Sequence, residues 1–219
     1  EIHTDPKKVI NALYHVSSNI VKDDKFLVTL GGEHSISQGV IKAYKEKYKN
    51  LSILQLDAHL DLMKQFGGTR YSHASVTRRV VEDMKCKVTS FGVRVVSKEE
   101  QEYVKKKKDS VSVFYAKDIY NNDDWHDQAI ETLEDYVYIT LDVDGFDVSI
   151  MPATGTPVPG GLGWYQTIDF LRKVYKERTV VGLDVVELKP NPGNDAPNFL
   201  AANLVYKNIG FYKKYTLLS

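Results

Sequence analysis

Six short apolar runs, at 26–30, 51–56, 87–91, 111–115, 136–141 and 179–186, punctuate the chain, and longer amphipathic stretches separate them. The runs are rich in Val, Ile, Leu and aromatic residues, and several are apolar almost throughout. A strand wetted on one side alternates apolar with polar side chains. A strand apolar at nearly every position is buried on both faces, as in a parallel sheet covered by helices. Helical periodicity fills the intervals 35–48, 74–84, 97–107, 125–134, 164–177 and 196–212. An earlier helix is expected behind Asp5 as N-cap, with Val9, Ile10, Leu13, Val16 and Ile20 on one buried stripe. This alternation predicts an α/β fold with a mostly parallel sheet and helices on both faces. No repeat and no linker interrupts it, so residues 1–219 are expected to form one domain, long enough for its own core.

Charge excludes some partners. Lys+Arg and Asp+Glu both number 29, a formal net charge of zero, so neither nucleic acid nor an anionic membrane is indicated. The basic run Lys105 to Lys108 follows Glu99, Glu100 and Glu102 and reads as a solvated helix face. No apolar run approaches the roughly 18–20 residues of a membrane span, and no signal peptide is visible. The single cysteine, Cys86, precludes an intrachain disulfide and reads as a small core residue, which fits a reducing cytoplasm. Because the chain starts at Glu1 and enters helix-like sequence directly, a missing N-terminal portion is expected.

The least regular segments, 60–72, 144–163 and 188–196, each begin at or just beyond the C-terminal end of a predicted strand, the edge where open α/β sheets bind ligands. Polar residues crowd there. Gly31-Gly32-Glu33-His34-Ser35 follows the first run, Asp57-Ala58-His59-Leu60-Asp61 the second, and Asp142-Val143-Asp144-Gly145-Phe146-Asp147 the fifth. Together they offer His34, Asp57, His59, Asp61, Asp142 and Asp144: four carboxylates and two imidazoles. Four carboxylates gathered out of water repel one another and lose their hydration, so they are either spread in solvent or neutralised by divalent metal. An oxygen-rich set with imidazole and no thiolate suits Mn²⁺, and less well Fe²⁺, Co²⁺, Ni²⁺ or Zn²⁺. Two metals sharing bridging carboxylates would lower the pKa of bound water enough to supply hydroxide near neutral pH. Each piece alone is weak, since Asp-x-His, Asp-x-Asp and a His after Gly-Gly are all common in ordinary turns. Their joint occurrence at three strand ends is what points to metal.

With these motifs the chain resembles the ureohydrolases, the family of agmatinase and arginase. Gly31 to Ser35 is similar to their Gly-Gly-x-His-Ser, and Asp57 to Asp61 to their Asp-Ala-His-x-Asp. Thr140 to Asp147, with Pro152, Ala153-Thr154-Gly155-Thr156-Pro157 and Gly160-Gly161, is similar to a third signature, and Asp184-Val185-Val186-Glu187 with Pro190 to a fourth. The resemblance runs from about Phe26 to the C-terminus. It departs at Val148, where the family usually has proline, and in length, since the family usually carries early strands and part of the pocket rim before the first helix here.

The resemblance implies a three-layer α/β/α fold and two Mn²⁺ ions, one held by His34, Asp57, Asp61 and Asp142, the other by His59, Asp57, Asp142 and Asp144. Asp57 and Asp142 would bridge, which carboxylates can do and a one-lone-pair imidazole cannot. It implies hydrolysis of a guanidino group to urea and an amine. Glu187 would grip the guanidinium through paired N–H bonds, and His73 would pass a proton to the leaving amine or steady the substrate. The alternatives are a surface glutamate and a helix-capping or packing histidine. The stretch from Leu62 to Ser75, through Tyr71-Ser72-His73-Ala74, looks more like agmatinases than arginases, making agmatine the expected substrate. Another ureohydrolase activity (arginase, guanidinobutyrase or formimidoylglutamase type) and a non-catalytic relative are the alternatives. A homo-oligomer is also implied. Thr156 stays open between a structural turn and a guanidinium contact. No Gly-x-Ser-x-Gly elbow, P-loop or dinucleotide fingerprint is present, and His3, His15 and His126 are assigned no role.

Overall fold

The computed structural model describes residues 5–122 and 124–218; His3 lies outside them. Helix α1 (Pro6–Lys22) starts as expected, with the Asp5 side chain accepting from the backbone of Lys7 at 3.0 Å. Its buried stripe is Ile10, Ser17 and Val21, one position round from the expected one, and Val16 is 59% exposed. The tightness of the neighbouring helix explains the shift. Gly39 of α2 (Ser37–Lys47) lies against the Ile10 carbonyl with no room for a Cβ, so α1 presents its 10–14–17–21 face there.

Six strands form one parallel sheet: β1 (Leu27–Leu30), β2 (Leu51–Leu56), β3 (Lys87–Val93), β4 (Val111–Tyr115), β5 (Tyr136–Asp142) and β6 (Thr179–Val186), in the order β1-β6-β5-β2-β3-β4. The remaining helices are α3 (Val76–Glu82), α4 (Lys98–Lys106), α5 (Ala116–Ile119), α6 (Trp125–Glu131), α7 (Trp164–Glu177) and α8 (Ala196–Tyr212). The connections β1 to β2, β2 to β3 and β3 to β4 all run one way across the sheet, and the connections to β5 and β6 run back. With right-handed crossovers, opposite directions put helices on opposite faces.

The core divides accordingly. Val40, Ile41 and Tyr44 of α2, Val80 of α3 and Tyr103 of α4 pack on Ile53, Val88 and Tyr138. Ile130 of α6, Phe170 and Val174 of α7 and Leu204 of α8 pack on Leu54, Ile139 and Leu183. The result is the expected three layers. A register shift between Val137 and Tyr138 gives β6 one extra residue, and Gly182 there has no side chain because the Tyr44 ring fills the space.

The inner strands β2, β5 and β6 are buried on both faces as predicted, but β1 is an edge strand that is only partly covered, and Leu30 is 73% exposed. Parallel pairing brings all C-terminal strand ends to one edge. The chain leaves β2 toward β3 and leaves adjacent β5 toward β6, in opposite directions, which opens a crevice between them.

Candidate metal centre

The four strands that carry the motifs, β1, β6, β5 and β2, are consecutive in the sheet. His34 starts a short 3-10 turn after β1, Asp57 follows β2, and Asp142 ends β5. In this arrangement His34 Nδ1 lies 3.0 Å from Asp61 Oδ2, 3.3 Å from Asp57 Oδ2 and 3.4 Å from Asp142 Oδ2. His59 Nδ1 lies 3.0 Å from Asp144 Oδ2 and 3.4 Å from Asp57 Oδ1. Two ligands at right angles on a cation, each at about 2.0–2.2 Å, stand about 3 Å apart. His34, Asp57 and Asp61 therefore make one group able to hold a metal ion, and Asp57, His59 and Asp144 a second. Asp57 belongs to both, one oxygen to each. Asp142 stands beside the first group through Oδ2, while its Oδ1 accepts the Asp144 amide at 2.9 Å.

The polar atoms behind these groups are already committed. His34 Nε2–H donates to Thr140 Oγ1 at 2.9 Å, because the threonine hydroxyl itself donates to Asp184 Oδ1 at 2.6 Å. Tyr138 supplies Asp184 with a second donor at 2.8 Å. In the neutral ring, the form that binds a metal, the lone pair of His34 is thereby placed on Nδ1, which is buried and makes no aligned hydrogen bond to any of the three oxygens around it. An orphaned, buried lone pair facing carboxylates fits a cation between them. Gln55 donates to Asp57 Oδ2 at 2.7 Å, and its own carbonyl accepts from Thr77 and Ser90, so the amide cannot turn. Gly145 lets the third loop lie against the Asp57 amide, where a Cβ would come within 2.9 Å.

The electrostatics agree. Burial works against a charged His34, yet Asp142, Asp57 and Asp61 keep its pKa well above the ordinary imidazole value. Burial likewise opposes a charged His59, but Asp144 and Asp57 push it up to about 11. Burial and the Asp57 charge raise Asp61 to about 7, and burial with Asp57 and Asp144 raises Asp142. Asp57 is held low against its burial by the two imidazoles. On its own the cluster retains protons, taking up the positive charge that divalent cations would bring.

The cluster forms one wall of a cavity of about 480 Å³ that also takes in His73, Glu187, Glu33 and Thr156. Glu187 has a left-handed backbone, φ 63°, directly after β6. Its Oε1 accepts the His34 amide at 2.7 Å, and burial raises its pKa. Seven of the eight sequence-selected residues thus line one cavity, and the eighth, Asp57, is fully buried beside His34 and His59. Residues 1–210 match the arginase family. The chain belongs to that family.

An N(1)-aminopropylagmatine ureohydrolase from Synechocystis sp. is 37% identical over 194 residues, covering 88% of this chain and 62% of that protein. An agmatinase from Pyrococcus horikoshii is 37% identical over 183 residues, 84% of this chain and 62% of that protein. The crystal structure of agmatine ureohydrolase of Thermoplasma volcanium superposes with a TM-score of 0.86 at 34% identity, covering 98% of this chain and 72% of that one. This arginase-family chain therefore spans about 62% of the length of the curated relatives it matches.

Several functional neighbours escaped the sequence reading. Glu33, the variable position of Gly-Gly-x-His-Ser, accepts from both the backbone and Nδ1 of His73 at 2.8 Å and raises the His73 pKa. Arg94 donates to the carbonyls of Gly92, Asp144, Gly145, Phe146 and Val158. An Arg after a strand carries no motif, so only its carbonyl partners reveal it. Thr156, which the sequence left open between a structural turn and a guanidinium contact, donates to Asp144 Oδ2 at 3.1 Å and so orients that carboxylate. His15 is exposed, whereas His126 is half-buried against Phe170 and Trp125. No helix among the described residues is long and apolar enough to cross a membrane.

Proposed function

We propose that the chain is a binuclear manganese ureohydrolase of the agmatinase type, folded as one domain and acting in the cytoplasm as a homo-oligomer. The observation that carries this reading is the pair of ligand groups sharing Asp57 beside a cavity that also holds His73 and Glu187. His34, Asp57, Asp61 and Asp142 would hold one cation, and His59, Asp57, Asp142 and Asp144 the other. Metal bound there supplies Lewis acidity and a lowered pKa for water.

The chain's own residues do the rest. Glu187, fixed through the His34 amide, receives the guanidinium by paired N–H bonds and becomes fully charged against that cation. His73 holds a proton next to the carbon–nitrogen bond that breaks and passes it to the departing amine. Water adds to the guanidinium carbon, the bond to the alkyl nitrogen breaks, and urea and a protonated amine leave.

The tail specificity follows from charge. Once the metal ligands and Glu187 are committed, the acidic side chains left in the cavity among the described residues are Glu33 and Glu100, beside Met63, Phe66 and Val95, and no Lys or Arg lines it. The α-carboxylate of arginine would meet carboxylates there, whereas a tail ending in an ammonium group meets its counter-charge. Agmatine fits this description. N(1)-aminopropylagmatine, the substrate named for the Synechocystis relative, carries more of the same charge and is the second reading.

Urea release from the full-length Mn²⁺-loaded protein decides between them, with agmatine, N(1)-aminopropylagmatine, arginine and guanidinobutyrate compared side by side. Preference for either cationic-tailed compound supports the proposal. Preference for arginine or guanidinobutyrate overturns the tail assignment, and no urea from any of them removes the activity.

A further inference from the structure

We propose that Glu33 is a positioning residue for His73: its carboxylate grips the imidazole at Nδ1 and so reserves Nε2 for the substrate. The proposal rests on the role for His73 given above. One Glu33 oxygen, Oε1, accepts both the His73 backbone N–H and the ring Nδ1–H, each at 2.8 Å. The other, Oε2, accepts the Ser35 hydroxyl. Two donors from one residue on one oxygen fix the start of the 73–75 turn and the rotation of its ring together. The second oxygen ties both to the 34–36 turn, which carries His34.

The consequence is tautomeric. With Nδ1–H given to a carboxylate, a neutral ring has its lone pair on Nε2 and a charged ring has its second proton there. His73 Nε2 makes no hydrogen bond among the described residues, and the residue lines the substrate cavity. The imidazole is therefore committed on one side and free on the other, the division of labour by which a carboxylate orients a general acid–base histidine. Phe66, 5.3 Å from the ring centroid and tilted 59°, flanks the imidazole without offering it a competing acceptor. Glu33 is itself held from both sides, by His73 on Oε1 and by Ser35 on Oε2, so its carboxylate is fixed where it meets the ring.

The test uses the full-length metal-loaded protein carrying Glu33→Ala or Glu33→Gln, each alone and combined with His73→Ala. Glu33→Ala is expected to lower kcat about tenfold to hundredfold while KM moves less than about twofold. In the His73→Ala background the same change should cost nothing further, because Glu33 acts through that ring. Metal content, read by elemental analysis, should stay at the wild-type level. Glu33→Gln keeps an acceptor of the same size, so it should retain more activity than Glu33→Ala and guards against a variant that fails to fold.

Histidine ¹⁵N spectra, recorded with a diamagnetic divalent metal, give a readout independent of turnover. A protected Nδ1 proton on His73 should be present in the wild type, kept in Glu33→Gln and lost in Glu33→Ala. Equal kinetic losses with and without His73, or an Nδ1 signal indifferent to Glu33, overturns the proposal. If the wild type releases no urea from any guanidino compound, the activity assignment falls, and the spectra still decide whether Glu33 sets the tautomer of His73.

Discussion

Four described non-glycine residues have a left-handed backbone, and two of them, Asp61 at φ 53° and Glu187 at φ 63°, belong to the candidate site. Such conformations cost about 1–3 kcal/mol and persist only where neighbours enforce them. Here the enforcers are visible: the Asp61 carbonyl accepts the Arg78 amide, and the Glu187 amide donates to the Gly32 carbonyl at 2.7 Å. Both turns aim a carboxylate back over the strand ends. Asp57 has a different importance, since each of its oxygens faces a different ligand group. Asp57→Asn should therefore empty both metal positions and abolish urea release, whereas Asp61→Asn should weaken one metal and leave activity recoverable at high Mn²⁺. Metal content and urea assays on the two variants separate them, and full turnover in Asp57→Asn would refute the shared bridge. Glu187→Gln should keep its metal but lose about 1.5–3 kcal/mol of charge-assisted bonding to the guanidinium, roughly 10- to 150-fold in kcat/KM. Unchanged kinetics would take Glu187 out of the substrate's path.

At the scale of elements, the loop after β5, which carries the candidate ligand Asp144, owes its shape to a residue that follows another strand. Arg94, just past β3, is half-buried with its guanidinium spread over five carbonyls, one in β3 and four in the connection from β5 to α7, and its desolvation is partly offset by the charges of Asp144 and Asp147. Removing it takes the guanidinium donors from these carbonyls, of which Gly145 keeps the Leu162 amide, at a cost of about 1–3 kcal/mol for each one that stays buried and unpaired. Arg94→Ala is expected to lower the melting temperature and to weaken the His59–Asp144 metal position more than the His34–Asp61 one. Stepwise metal titration followed by calorimetry measures the two positions, and equal weakening of both would show that Arg94 supports the fold generally rather than this loop. Sequence periodicity located the helices well and their buried faces less well. The α1 stripe was displaced because Gly39, not hydrophobicity, sets how α1 seats on α2.

For the whole molecule, the buried cluster couples metal, protons and stability. Asp61, raised to about 7, binds its proton more tightly folded than unfolded, so the stability it contributes is present at low pH and is lost as pH rises from about 4 to 7. His59, raised to about 11, contributes stability that is fully present below its unfolded pKa of about 6.5 and is lost progressively toward 11. The metal-free protein should thus become less stable as pH rises. Metal must displace the same protons, so its binding and the stability it adds should grow with pH. Melting temperatures with and without Mn²⁺ between pH 5 and 9 are expected to diverge upward. A metal-dependent gain that shrinks with pH would contradict the account.

The sequence by itself determined the α/β architecture, the strand ends and the identity of the metal-site candidates, because these depend on local periodicity and on residue types that cannot be buried together without a cation. It also carried the family resemblance, since the four motifs are contiguous in the chain. Tertiary structure decided the rest. The strand order placed β1, β6, β5 and β2 side by side and so assembled motifs from positions 31 to 187. Glu33 meeting His73, Arg94 clamping the Asp144 loop and Asp184 setting the His34 tautomer through Thr140 are contacts between residues 40 to 150 positions apart. No local pattern encodes such pairings, because a hydrogen bond between distant side chains exists only once the sheet has fixed where both backbones lie.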